Sequence, residues 1–172
     1  MSTLHVENLK GLSSGGNANK IIVPSGQTID ASAGTLLPSE GQIVQVVKMT
    51  PTGSGFASTS SSFAKTNLAL SITPKYSNSL IKFEACASFL NTGSEMNLHF
   101  YKDGVHANLL PDTAIHGDYD NNGAYSSYTM MFYHSPNTTS SVEYALYANR
   151  NGSSGAVYVY RGQYVTLTEI KQ

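Results

Sequence analysis

The sequence predicts an all-β chain: a short β-rich N-terminal stalk over 1–41, then an antiparallel β-sandwich of jelly-roll type over 42–172. Three observations predict it. The composition is polar yet almost uncharged: charged residues are 12% of 172, with eleven Tyr and no Trp. Ser, Thr, Asn and Gly abound instead of the Ala, Leu, Glu, Lys and Arg that helices favour. Apolar residues alternate with period two in about nine short segments, separated by turn residues at roughly 8–14-residue intervals. No 11-residue window combines helical spacing with caps.

Residues 1–41 carry their apolar side chains in short bursts: Leu4, Val6 and Leu9, then Ile21, Ile22 and Val23, then Ile29, then Leu36 and Leu37. Gly, Ser, Asn and Pro lie between them, as in Ser13-Ser14-Gly15-Gly16-Asn17 and Pro24-Ser25-Gly26. Each burst is too short for a self-sufficient strand, and the segment cannot bury its apolar residues alone. It reads either as a loose N-terminal arm or as a stalk in which several copies share one core. The spaced bursts of Ile, Leu and Val favour the stalk, because a linker has no use for them.

The strands follow in order. Gln42–Met49 is β-branched, partly apolar on both faces, and ends before Pro51-Thr52-Gly53, which suits a strand buried on two sides. Residues 54–66 read as an irregular edge. Leu68, Leu70 and Ile72 alternate with polar neighbours up to Pro74. Ile81, Phe83, Ala85, Ala87 and Phe89 alternate against Lys82, Glu84, Cys86 and Ser88, the clearest strand in the chain. Met96, Leu98 and Phe100 form the next, closed by Asp103-Gly104, a hairpin signal. Val105–Leu110 is its return strand, and 111–123 a loop. Strands resume at Tyr125–Tyr133, Val142–Ala148, Ala156–Tyr160 and Tyr164–Ile170.

Several functions are excluded or disfavoured. A net charge of -1 is at odds with phosphate-contact binding of nucleic acid, which needs a basic face. The single cysteine, Cys86, permits neither an intrachain disulfide nor a Cys-based zinc site. No run approaches the roughly 18 apolar residues of a membrane helix. Residues 1–10 lack a signal-peptide pattern, so synthesis in a cytosol is expected.

Some blocks of the sequence are familiar. Gly41-Gln42-Ile43-Val44-Gln45-Val46-Val47 resembles a recurrent block in virion proteins of marine bacteriophages. So does Leu70-Ser71-Ile72-Thr73-Pro74, followed after Tyr76-Ser77-Asn78-Ser79 by Leu80-Ile81-Lys82-Phe83. The first nine residues, Met1 to Leu9, and Val165–Ile170 are similar as well. The resemblance implies a stretch of short repeats before a β-sandwich knob like those of C1q and tumour necrosis factor. It implies a homotrimer on the virion surface, in a tail fibre or as a head decoration, and it carries no catalytic residues. The expectation is a non-enzymatic virion structural protein, made in the host cytoplasm. As a trimeric fibre or tip it would serve host attachment through a surface glycan or protein. The alternative is a capsid decoration (cement) protein. Residues 1–41 would contact other virion proteins.

Candidate sites are few. Asp118-Tyr119-Asp120-Asn121-Asn122-Gly123 matches the opening of a calcium loop, with Asp118, Asp120 and Asn122 at alternate ligand positions. The bidentate Glu is missing, since Thr129 stands at loop position 12, and a solvated Asn-Gly turn is the plainer reading. Calcium is therefore the one candidate cofactor. Tyr119, Asn121 and Tyr125 mark this loop as a candidate contact surface, since Tyr stacks on sugars or fills pockets at low entropic cost. Tyr144, Tyr147, Tyr158 and Tyr160 are candidate oligomer-interface residues: Tyr on an outer strand face is apolar but keeps a hydroxyl to satisfy. Among five histidines, His99 and His106 flank the Asp103-Gly104 turn and are placed to meet across it. No nucleophile elbow or phosphate-binding loop is present.

Overall fold

The structure is a computed structural model. It describes residues 13–16, 18, 20–28, 37–50, 55–93, 95–106, 115–117 (backbone), 125–152, 154–160 and 164–172. Among these there is no helix, and eleven strands run in chain order. They are β1 (Ile43–Met49), β2 (Phe56–Ser58), β3 (Ala64–Ile72), β4 (Leu80–Thr92), β5 (Glu95–Lys102) and β6 (Val105–His106), followed by β7 (Ile115–Gly117), β8 (Ser126–His134), β9 (Val142–Asn151), β10 (Ala156–Val159) and β11 (Tyr164–Ile170).

Two antiparallel sheets form. In the first, β11 lies between β1 and β4, β10 continues beside the far end of β4 with β2 outside it, and β8 occupies β4's other edge. In the second, β9 lies between β3 and β5, and β6 and β7 pair with β5. The order β1–β11–β4–β8 against β3–β9–β5–β7 is that of a jelly roll.

Alternation explains the core. Ile81, Phe83, Ala85, Ala87 and Phe89 of β4 all point inward and are at most 2% exposed. They meet Met130 and Phe132 of β8, Val165 and Leu167 of β11, and Leu98, Tyr144 and Leu146 of the facing sheet. The rings of Phe83, Phe100 and Phe132 meet edge-on or tilted, with centroids 4.2–5.3 Å apart, across the two sheets. β4 carries neighbours on both edges along most of its length, and its inward residues pack in the core shared with the facing sheet.

Three expectations need correction. Among the described residues β1 pairs only with β11, at the edge of its sheet, and Ile43 and Val46 are 63% and 56% exposed. A β-branched run reports strand propensity, not a place inside the sheet. The 111–123 loop contains the short strand β7, which pairs with Met96–Leu98 of β5. Tyr144, expected on an outer face, is 0% exposed and belongs to the core of its own chain. Inward spacing with Val142 and Leu146 sets its direction, and the phenol hydroxyl finds a partner inside.

The Asp103-Gly104 hairpin forms as expected. Both residues have positive φ, 50° and 75°, the backbone of a turn whose twist matches its strands.

By contact the chain divides into Met1–Leu37 and Pro38–Gln172. Residues 38–41, assigned to the stalk on sequence, are tied into the second unit. Gly41 N donates to Lys171 O at 2.8 Å, and Lys171 Nζ donates to Pro38 O at 2.9 Å. In the first unit, turns close at Gly15–Ala18 and Pro24–Gln27, and Ile21, Ile22 and Val23 are 52%, 56% and 38% exposed.

Candidate functional site

The outward face of the first sheet is built from the residues that alternate against the core. On β4 these are Lys82, Glu84, Cys86, Ser88 and Leu90, and on β8 Ser127, Thr129, Met131 and Tyr133. β11 contributes Tyr164, Thr166 and Thr168, and β10 contributes Tyr158.

Tyrosines gather at one end of this face. Tyr158 stands directly across from Leu90, which is only 8% exposed despite its outward direction. Tyr160 follows β10, and its amide donates to Ser88 O at 2.9 Å. The rings of Tyr158 and Tyr160 lie 5.9 Å apart with planes 22° from parallel. Tyr125, 65% exposed, sets its ring edge-on to Tyr160 at 5.1 Å. A hydrogen bond to Tyr125 stabilises the protonated Tyr160 hydroxyl and moves its pKa upward. Beside the cluster, the hydroxyls of Ser88 and Ser127 meet at 2.9 Å.

Charges lie further along the face and are answered there. Lys82 pairs with Glu84, and the Tyr164 hydroxyl donates to Glu84 Oε1 at 2.9 Å. Both bonds stabilise the carboxylate and hold Glu84 below its ordinary pKa, the Lys82 bond more strongly. The same contacts raise Lys82 and Tyr164. Lys48 Nζ stands 5.8 Å from the centre of the Tyr164 ring.

The second sheet has its own aromatic layer. Phe63 stacks on His99 at 4.2 Å, His99 lies 4.7 Å from His106, and Tyr101 stacks on Tyr147 at 3.8 Å. The two histidines thus do meet across the hairpin. Nearby, Asn97 and Asn149 face each other across β5 and β9, and each has a buried, unpaired Oδ1.

The structure therefore divides the candidate interface tyrosines. Tyr144 is in the core, Tyr147 lies on the outer face of the second sheet, and Tyr158 and Tyr160 lie on the outer face of the first. Tyr125, placed on sequence in a separate contact loop, joins Tyr158 and Tyr160. Asp118, Asp120 and Asn122, and Tyr119 and Asn121, lie outside the described residues. Among the described residues no cluster of three or more His, Cys, Asp or Glu is arranged to hold a metal. Cys86 lies on the outer face between Thr129 and Tyr164.

One polar centre was missed on sequence. Glu169 is 0% exposed. Its Oε1 accepts from the Lys75 and Tyr76 amides at 2.8 and 3.1 Å and from Ser79 Oγ at 2.6 Å. Its Oε2 accepts from Gln45 Nε2 at 2.6 Å. The carboxylate therefore clips the β3–β4 connection to β1 and β11. The signal was present in the alternation Val165, Leu167, Glu169, which places an acid on the core face.

No known protein family matches the chain, and no curated protein matches it in sequence.

Proposed function

We propose that the chain is a non-enzymatic structural protein of a bacteriophage particle, a homotrimeric fibre or tip whose sandwich is displayed for attachment to a host surface. The observation that carries this reading is the Tyr125–Tyr158–Tyr160 cluster, one exposed and two half-buried aromatic rings on the outer face of a sheet. Tyr supplies contact area at low conformational cost, and three copies on one axis turn weak contacts into avid ones. The sequence blocks that resemble virion proteins support the same reading, as does the jelly roll, an architecture common among capsid and lectin domains.

The exposed Ile21-Ile22-Val23 run favours a second reading, a decoration protein that clasps the capsid shell through residues 1–41. Gold-labelled antibody to the sandwich, applied to purified particles, separates the two. Label on the tail at low copy number fits the fibre, and label over the whole head fits the decoration. Light scattering gives the mass in solution. A monomer together with unlabelled particles would overturn both readings.

A further inference from the structure

The Asp103-Gly104 hairpin brings two imidazoles together on the outer face of the second sheet. His106 stands across from Tyr101, so His99, two positions earlier on β5, is its diagonal neighbour. The ring centres of the two histidines lie 4.7 Å apart, with planes 35° from parallel. Both residues are half-buried. The aromatic layer frames the pair: Phe63 stacks on His99 at 4.2 Å, and Tyr101 sets its ring edge-on to His106 at 5.5 Å. β7 brings a third histidine position to the same edge of β5, with His116 opposite Asn97.

The spacing of the pair is that of two ligands on one ion. Metal–nitrogen bonds of about 2.1 Å, meeting at about 90–110°, put two imidazole centres roughly 4.6–5.3 Å apart. The observed 4.7 Å falls in that range, so one nitrogen of each ring can reach a common ion. The turn keeps the two strands in register, because Lys102 pairs with Val105 and Tyr101 with His106. Each imidazole has two ring nitrogens. A hydrogen bond at one orients the ring, and the other serves the ion.

The donor type selects the class of ion. Imidazole suits zinc, copper and nickel, whereas calcium and magnesium take oxygen ligands. Two imidazoles leave further coordination positions to water.

We infer that His99 and His106 form a binding site for one divalent transition ion of the zinc, copper or nickel kind. The bound ion clamps β6 to β5 and stabilises the folded chain by mass action. The site stands whether or not the chain is displayed on a particle.

The test uses the full-length chain without an affinity tag. Zinc, nickel and copper(II) ions are titrated in by calorimetry at neutral pH, with excess calcium and magnesium present to fill oxygen sites. Saturable binding of at least one transition ion is expected. His99→Gln and His106→Gln are each expected to weaken it at least about tenfold, since loss of an outer-shell partner alone costs that much. His134→Gln, away from the hairpin, is expected to leave the affinity unchanged. Where a variant fails to fold, the wild-type chain gives the second readout. Substoichiometric copper(II) is expected to broaden the ring resonances of His99 and His106 before those of His134.

Four results would overturn the assignment. The first is no saturable binding of any of the three ions at millimolar concentration. The second is an affinity that either hairpin variant leaves unmoved. The third is copper broadening centred away from His99 and His106. The fourth is a larger loss in His116→Gln than in either hairpin variant, which would move the site to β7.

Discussion

The hydroxyl of Tyr144 meets Nδ1 of His134 at 2.8 Å. Tyr144 belongs to β9 of the second sheet and His134 ends β8 of the first, so this bond crosses the sandwich where β8 is held by β4 alone among the described residues. Tyr144→Phe keeps the ring in the core and leaves the half-buried imidazole nitrogen without its partner. The expected loss of stability is about 1–2 kcal/mol. Tyr144→Ala also empties the ring's place and is expected to cost about 3–5 kcal/mol. Urea unfolding followed by circular dichroism measures both.

The same pair makes stability depend on pH. Burial, followed by the Lys102 charge, holds His134 below its ordinary value of 6.5, and the Asp103 carboxylate opposes this only in part. The unfolded chain therefore takes up this proton more readily than the folded one. The contribution is complete above pH 6.5 and is lost as pH falls from there through the lowered folded value, below which it levels off. Glu84 and Asp103, both held below their ordinary values, add acid-side losses in the carboxylate range. Urea midpoints for wild type and His134→Gln, compared from pH 8 to about pH 5, are expected to show a shallower decline in the variant. Parallel declines would remove His134 as the source.

Glu169 is a buried carboxylate whose partners are uncharged donors. Glu169→Ala strands two backbone amides and the Ser79 hydroxyl, with an expected cost of about 3 kcal/mol. The damage should begin locally. Hydrogen exchange at the Lys75 and Tyr76 amides is expected to speed up by more than exchange in β4. Uniform acceleration would mean that the clip has no local role.

Two glycines on neighbouring turns provide a steric comparison. A Cβ on Gly155, at φ +83°, would fall 1.4 Å from Thr92 O, whereas one on Gly93, at φ +72°, meets nothing closer than 3.6 Å. Gly93→Ala is expected to cost about 1 kcal/mol, the price of a positive φ. Gly155→Ala adds a backbone clash and is expected to exceed about 3 kcal/mol. Thermal unfolding of the two variants ranks them.

Local periodicity made most strands legible. The Ile81–Phe89 alternation put the right five side chains into the core, because one face of a strand is set by position alone. Asp103-Gly104 announced its own turn because the required φ angles suit those residues. Alternation also gave Tyr144, Val142 and Leu146 one common face, yet could not say whether that face looked inward. Tyr is at home on either side of a sheet, and the hydroxyl partner that permits burial, His134, lies on a different strand.

The candidate site was only partly legible for the same reason. Tyr125, Tyr158 and Tyr160 were each singled out, but to different purposes, since their strands are separated in sequence and meet only when β8 and β10 take opposite edges of β4. Glu169 was invisible as a centre because its four donors, from β1 and from the β3–β4 connection, lie about 90 or more residues before it in the chain. Composition and period two were enough to specify an all-β sandwich and the inward residues of its long strands, because both are properties of a strand taken singly. Which strands pair, and so which tyrosines meet, follows from closing two sheets over a shared core, and that is a property of no segment alone.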